Sequence, residues 1–242
     1  NLGGLNTHIL SSYEKLKDSK ERYQGVQLNT VTGSMKLNKI DFSYDKSHFL
    51  FRNLSISVNP GQLFCISGSN GDGKTTLSKI LMGILEPSAG EVLVDGTNLN
   101  KLSLKWWKKQ VSYIPQNTNI LNSSIMDNIL LGNDKLNEQE VSRLLQTVGL
   151  DHKLKTTSLT ILDPIEDNLS KGVKKKIHYA RALAQNSKIF IIDDPFGYLD
   201  NQGVQIVQKL IESLKRANKT IILFSDNNIL SNFVDENITI GN

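Results

Sequence analysis

The run Gly68-Ser69-Asn70-Gly71-Asp72-Gly73-Lys74-Thr75-Thr76 fits the pattern G-x-x-x-x-G-K-[ST]. Each residue type in it suits a polyphosphate. Glycines let backbone N–H groups converge on a β-phosphate, Lys74 places a cation between β- and γ-phosphates, and the Thr75 hydroxyl can ligate Mg²⁺ at a helix N-terminus. Asp72 is an acid inside an anion-binding loop, and phosphate binding requires it to point outward. A second cluster, Ile189-Phe190-Ile191-Ile192-Asp193-Asp194, is an apolar run ending in two carboxylates. Asp193 suits an outer-sphere contact to Mg²⁺, and Asp194 stands where a carboxylate could orient an attacking water.

These groups need a scaffold that holds a loop and two acids at strand ends. The apolar run at 63–67 precedes the loop, and Leu77, Ile80, Leu81 and Ile84 follow it at helical spacing. Further short apolar runs at 37–42, 54–58, 91–94, 111–114, 189–192, 221–224 and 238–240 read as strands. Helical patterns at 74–83, 138–148, 172–184 and 203–216 lie between them, so a largely parallel α/β sheet follows. The 54–95 region adds antiparallel strands, and about 122–171 reads as a helical subdomain inserted into the sheet core. Residues 1–24 read as a solvated helix, and the polar stretch 27–33 as a linker.

Composition narrows the classes. At 242 residues, with 38% hydrophobic and 21% charged, the chain can bury a core and lies away from disordered sequences. One cysteine, Cys65, excludes an internal disulfide framework, and four scattered histidines give no i, i+4 metal pair. No segment approaches the ~20 apolar residues of a membrane span, and none reads as a secretory signal. A soluble, cytoplasmic piece is expected. The net charge of +4 points to anionic partners without choosing among them.

In their order the motifs resemble the nucleotide-binding domain of an ATP-binding cassette (ABC) transporter, over about residues 35–241. Tyr44 in Phe42-Ser43-Tyr44 is similar to the aromatic that stacks on adenine, and Gln116 in Tyr113-Ile114-Pro115-Gln116 to the glutamine that reaches Mg²⁺. The stretch 119–129 is similar to the exporter-type loop. Leu169-Ser170-Lys171-Gly172-Val173 stands in the signature position, Asp193 matches the Walker B aspartate, and Gly197-Tyr198-Leu199-Asp200 matches the D-loop.

The resemblance implies a P-loop NTPase fold of ABC type over 35–242, with ATP and Mg²⁺ as ligands. Ser69, Asn70, Gly71, Gly73, Lys74, Thr75 and Thr76 would hold the phosphates, and Thr75, Gln116 and Asp193 the metal. It also implies a homo- or heterodimer, because nucleotide lies between the phosphate loop of one subunit and Ser170 and Gly172 of another. Residues 1–34 resemble a lead-in from a preceding membrane domain. That places the cassette at the cytoplasmic face of the cell (inner) membrane, with the transported substrate handled by the membrane domain and no nucleic acid as partner.

Three departures concern catalysis. The family has Glu where Asp194 stands, which withdraws the carboxylate by about 1.5 Å, a misplacement that can cost ~100-fold in rate. Asp226 replaces the switch histidine and sets an anion where a γ-phosphate donor belongs. The signature carries Lys171, either a substitute cation for a partner's γ-phosphate or, with Lys174, Lys175 and Lys176, a solvated basic helix start; the latter is expected. The turn before the signature, 162–168, is acidic. The resulting expectation is an exporter ATPase domain with slow turnover, the alternative being a nucleotide-gated scaffold without productive hydrolysis. Trp106 and Trp107 read as a surface helix with one ring packed.

Overall fold

In the computed structural model, residues 24–45, 47–150, 169–225 and 234–241 are described. The expected lead-in helix, the acidic stretch 162–168 and Asp226 lie outside the described residues. In chain order the elements are β1 (Met35–Ser43), β2 (Phe49–Val58), β3 (Leu63–Ser67), α1 (Lys74–Leu81), β4 (Ala89–Val94), β5 (Thr97–Asn98), α2 (Leu104–Gln110), β6 (Val111–Ile114), α3 (Ile125–Leu130), α4 (Glu138–Thr147), α5 (Lys171–Gln185), β7 (Ile189–Asp193), α6 (Asn201–Arg216), β8 (Thr220–Ser225) and β9 (Glu236–Thr239).

Five short strands, all but β9 largely apolar, pair in parallel in the order β6-β7-β8-β3-β9. Their residues alternate between two cores, as a pleat of period two requires. Phe64, Ile66, Ile189, Ile191, Ile222 and Phe224 face one cluster with Leu77, Ile80 and Leu81 of α1. Leu63, Cys65, Phe190, Ile192, Ile221 and Leu223 face the other, with α3, α4, α5 and α6. Each fully buried large apolar side chain contributes about 1.5–3 kcal/mol. A one-residue slip would exchange the two sets, so the register is fixed.

The antiparallel sheet, in the order β2-β1-β4-β5, packs on the first cluster through Met35, Leu37, Phe51, Ile56, Val92 and Val94. Together the two sheets and the helices give the α/β P-loop architecture expected. Strand β2 starts five residues before the expected 54–58 run because Arg52 and Asn53 interrupt the apolar pattern. Asn53 has φ 52 and its N–H donates to Asp41 at 2.6 Å, which marks an irregular step between β1 and β2. The stretch read as a linker is hydrogen-bonded to the body of the fold. Val26 donates to Lys101, and the Asp95 carboxylate accepts from Thr32, Gly33 and Ser34.

Helix starts follow local chemistry. Ser124 and Asp127 form a reciprocal cap on α3, Asn137 and Glu140 another on α4, and Asp200 caps α6. Trp107 is fully buried in the first cluster, and Trp106 packs partly against it. No helix among the described residues is long and apolar enough to cross a membrane.

Candidate active site

The loop after β3 reaches α1 through two glycines in the left-handed region, Gly71 at φ 100 and Gly73 at φ 92. At Gly73 the space is also closed: a Cβ would lie 2.6 Å from Phe51 Cζ. The backbone must turn here for α1 to start at Lys74. Lys74 Nζ folds back over the loop and donates to the carbonyls of Gly68 and Ser69, both at 2.8 Å. An ammonium held by neutral carbonyls is placed to exchange them for an anion.

Tyr44, Asn70, Lys74, Thr75, Thr76 and Gln116 line one cavity of about 290 Å³. The Tyr44 hydroxyl bonds with Thr76 Oγ1 at 2.9 Å, and its ring meets Phe42 edge-on at 4.9 Å. The ring is otherwise open, with 67% of the residue exposed. Asp72 turns away from this cavity. Its carboxylate accepts from Ser69 N–H, lies against Gly241 and lines the neighbouring groove.

The acid strand meets the loop from the side. Thr75 Oγ1 donates to Asp193 Oδ2 at 2.8 Å. Burial pushes the Asp193 carboxyl above its ordinary range, against the pull of that hydrogen bond and of Lys175 and Lys74. After Asp193 the chain bends sharply. Asp194 takes φ 51, a region that Asp tolerates better than most residues, and its N–H donates to Phe224 at 2.9 Å. Its carboxylate lies over Gly197, where a Cβ would fall 2.0 Å from Oδ2.

The basic run at the start of α5 corrects the sequence reading. Lys175 and Lys176 are buried, not solvated. Lys175 Nζ donates to the carbonyls of Pro115 and Asp193, both at 2.9 Å, and Lys176 Nζ to Gly149 at 3.3 Å. Burial lowers the Lys175 ammonium to about 8, although Asp194 and Asp193 favour its charge. Lys171 is exposed and sits 4.7 Å over the Tyr198 ring. Sequence reasoning missed Lys175. The available signal was Tyr179, a large aromatic four positions on, because a shared helix face carries the lysine into the core.

Ser170 caps α5 by accepting from Val173 N–H at 3.3 Å, and a Cβ at Gly172 would lie 2.7 Å from the Tyr198 carbonyl oxygen. Neither residue lines the cavity at Lys74. The chain thus brings together Tyr44, the loop, Gln116 and Asp193, and carries Ser170 and Gly172 on a separate surface.

The family model described as ABC transporter matches residues 51–197. ABC transporter B family member 13 of Arabidopsis thaliana is 28% identical over 211 residues, 86% of this chain and 17% of that protein. Member 1 of the same family and organism is 31% identical over 204 residues, 82% of this chain and 16% of that protein. The Beta-(1-->2)glucan export ATP-binding/permease protein NdvA of Rhizobium etli is 28% identical over 213 residues, 87% of this chain and 36% of that protein. A structure of a bacterial Atm1-family ABC exporter with ATP bound shares the fold, with TM-score 0.83 and 21% identity over 90% of this chain and 38% of that chain. The chain therefore spans at most 38% of the length of these proteins.

Proposed function

Because the chain belongs to the ABC transporter family, we propose that it is the ATP-binding cassette of an exporter, which closes a cassette dimer on ATP and hydrolyses it slowly. The observation that carries this reading is the single cavity shared by Tyr44, Lys74, Thr75 and Gln116, with Asp193 tied to Thr75 beside it. The open face of Tyr44 stacks on adenine. Lys74 leaves the Gly68 and Ser69 carbonyls for the β- and γ-phosphates, and the N–H groups of the α1 N-terminus hold the remaining oxygens.

Thr75, Asp193 and Gln116 offer oxygen donors, the chemistry a hard divalent cation takes, and Thr75 and Asp193 already lie within hydrogen-bond distance. These three residues would hold Mg²⁺, which supplies neutralisation of charge on the β- and γ-phosphates. Asp194 orients water from a carboxylate one methylene short that lies over Gly197, so turnover is slow. Asp226, standing for the family's histidine, adds no donor. Ser170 and Gly172 serve the nucleotide of a second cassette, identical or not, and Lys171 stands beside them. A membrane domain, fused or associated at the cytoplasmic face, carries the transported substrate. The printed name of NdvA, with its ATP-binding and permease parts, supports that arrangement.

The test is ATP binding, ATP-dependent dimerisation and steady-state hydrolysis by the purified protein. Binding that Lys74→Ala abolishes, with turnover ~100-fold below that of a competent cassette, is expected. Fast turnover would overturn the slow-hydrolysis reading. Absence of ATP binding would overturn the whole of it.

A further inference from the structure

In the cassette reading, Asp194 is the residue whose direction decides the chemistry. Its backbone is held from outside. The Asp194 N–H donates to Phe224 on β8, and its carbonyl accepts from Gly197 at 3.3 Å. The carbonyls on either side, those of Asp193 and Pro195, are each bonded to a side chain of one helix. Lys175 Nζ donates to Asp193 at 2.9 Å, and the Tyr179 hydroxyl donates to Pro195 at 2.8 Å.

Lys175 and Tyr179 stand at i and i+4 on α5, so they present on one face one turn apart. Both are fully buried. A buried ammonium and a buried phenol are costly unless hydrogen-bonded, and both find their partners on the same bend. Lys175 has a second partner in the Pro115 carbonyl at 2.9 Å, the residue before Gln116. One ammonium thus ties the glutamine loop to the end of the acid strand, and the tie belongs to the helix that Ser170 caps.

We propose that Lys175 and Tyr179 are positioning residues. Together they clamp the backbone around Asp194 in its left-handed conformation, and Lys175 alone locks Gln116 to the same body, so that the acid pair and the glutamine loop move with the signature helix. This rests on the cassette reading for its functional meaning, since a clamp on Asp194 and Gln116 matters only if these residues serve ATP. Neither residue touches substrate. Lys175 acts through Asp193 and Gln116, and Tyr179 acts through Asp194.

The two residues make different links, and that difference supplies the test. Amide hydrogen exchange is followed by mass spectrometry in the full chain for wild type, Lys175→Met and Tyr179→Phe, together with ATP affinity measured with Mg²⁺ and in EDTA. Tyr179→Phe keeps the ring and removes only the hydroxyl. It is expected to speed exchange at least fivefold over 194–199 and leave 113–118 unchanged. Lys175→Met is expected to speed exchange over both segments and to weaken binding of ATP with Mg²⁺ at least tenfold, with affinity in EDTA within twofold of wild type. Lys175→Gln, which retains a donor, recovers part of the loss.

Unchanged exchange in both variants would overturn the proposal, as would a rise spread evenly over α6 and the antiparallel sheet, the pattern of general destabilisation. Equal opening of 113–118 by Tyr179→Phe would overturn the division of roles. If Lys175→Met does not fold, Tyr179→Phe and Lys175→Gln decide by the same segments. Should wild type bind no ATP, the cassette reading fails, while the exchange pattern still confirms or refutes the clamp.

Discussion

The Thr75 hydroxyl and the Asp193 carboxylate are joined at 2.8 Å across 118 positions of sequence. Burial raises Asp193 above the ordinary carboxylate range while Thr75, Lys175 and Lys74 oppose the shift. The site therefore stabilises the buried anion only in part, and added positive charge there would be favourable. Asp193→Asn keeps an oxygen acceptor for Thr75 and removes the charge. Its expected outcome is a higher thermal midpoint without ligand, and a loss of at least tenfold, about 1.4 kcal/mol, in the Mg²⁺-dependent part of ATP affinity. Calorimetric titration with and without EDTA checks both. Equal affinity of the variant and wild type in Mg²⁺ would remove Asp193 from the metal site.

Asp194→Glu restores the missing methylene. If the shortfall is what limits water activation, turnover rises at least tenfold, out of the ~100-fold that such a displacement can cost. Asp194→Asn removes the residual activity. Both are read as steady-state phosphate release per mole of protein, and an unchanged rate in the two variants would deny Asp194 its role.

Gly197 is held to glycine by its neighbour. A Cβ there would stand 2.0 Å from Asp194 Oδ2, so Gly197→Ala must displace the carboxylate or shift the bend. The expected cost is about 1–3 kcal/mol in urea denaturation, together with a changed hydrolysis rate. Stability within 0.5 kcal/mol of wild type, roughly the scatter of neutral surface substitutions, would show that the bend yields freely.

Much of this arrangement is legible in the sequence. The phosphate loop, the acid pair and the strand runs each declare themselves through residues close in the chain, because a Gly-rich turn, a pleat of period two and a helix start are local events. Phe64 and Ile66 facing away from Leu63 and Cys65 follows from alternation alone. Lys175 is different. Its place depends on which face of α5 meets Pro115 and Asp193, 60 and 18 positions away, and four lysines within six positions look solvated until that packing is known. The pairing of Lys171 with Tyr198 is hidden for the same reason, as is the grip of Asp95 on residues 32–34.

The Lys171 ammonium over the Tyr198 ring is an exposed contact, for which about 0.5–1 kcal/mol is the ordinary worth. A double-mutant cycle of Lys171→Ala and Tyr198→Ala is expected to return a coupling in that range from denaturant midpoints. A coupling near zero would mean that the contact contributes nothing in solution. The cycle repeated on ATP-dependent dimerisation separates this internal contact from a contact of Lys171 with the nucleotide of a partner.

His178, on the buried side of α5, accounts for one pH dependence. Its Nε2 bonds with the Asn119 carbonyl at 3.0 Å, as a donor when the ring is neutral. Burial, then the nearby Arg181 and Lys175 charges, lower its pKa from 6.5 to about 4, against the opposing effect of the Asn119 bond. In the unfolded chain the imidazole takes up a proton below 6.5, whereas in the fold it stays neutral down to about 4. Between these values the unfolded state binds more protons, so the contribution is complete above 6.5 and is lost as pH falls toward 4, by up to about 3 kcal/mol. Urea midpoints at pH 7.5 and 4.5 measure the loss. His178→Gln, which retains an N–H donor for Asn119 and cannot titrate, is expected to remove most of this histidine's share of the pH slope. The carboxylates titrate alike in both proteins, so the difference between the two slopes isolates His178, and equal slopes would place the acid sensitivity elsewhere.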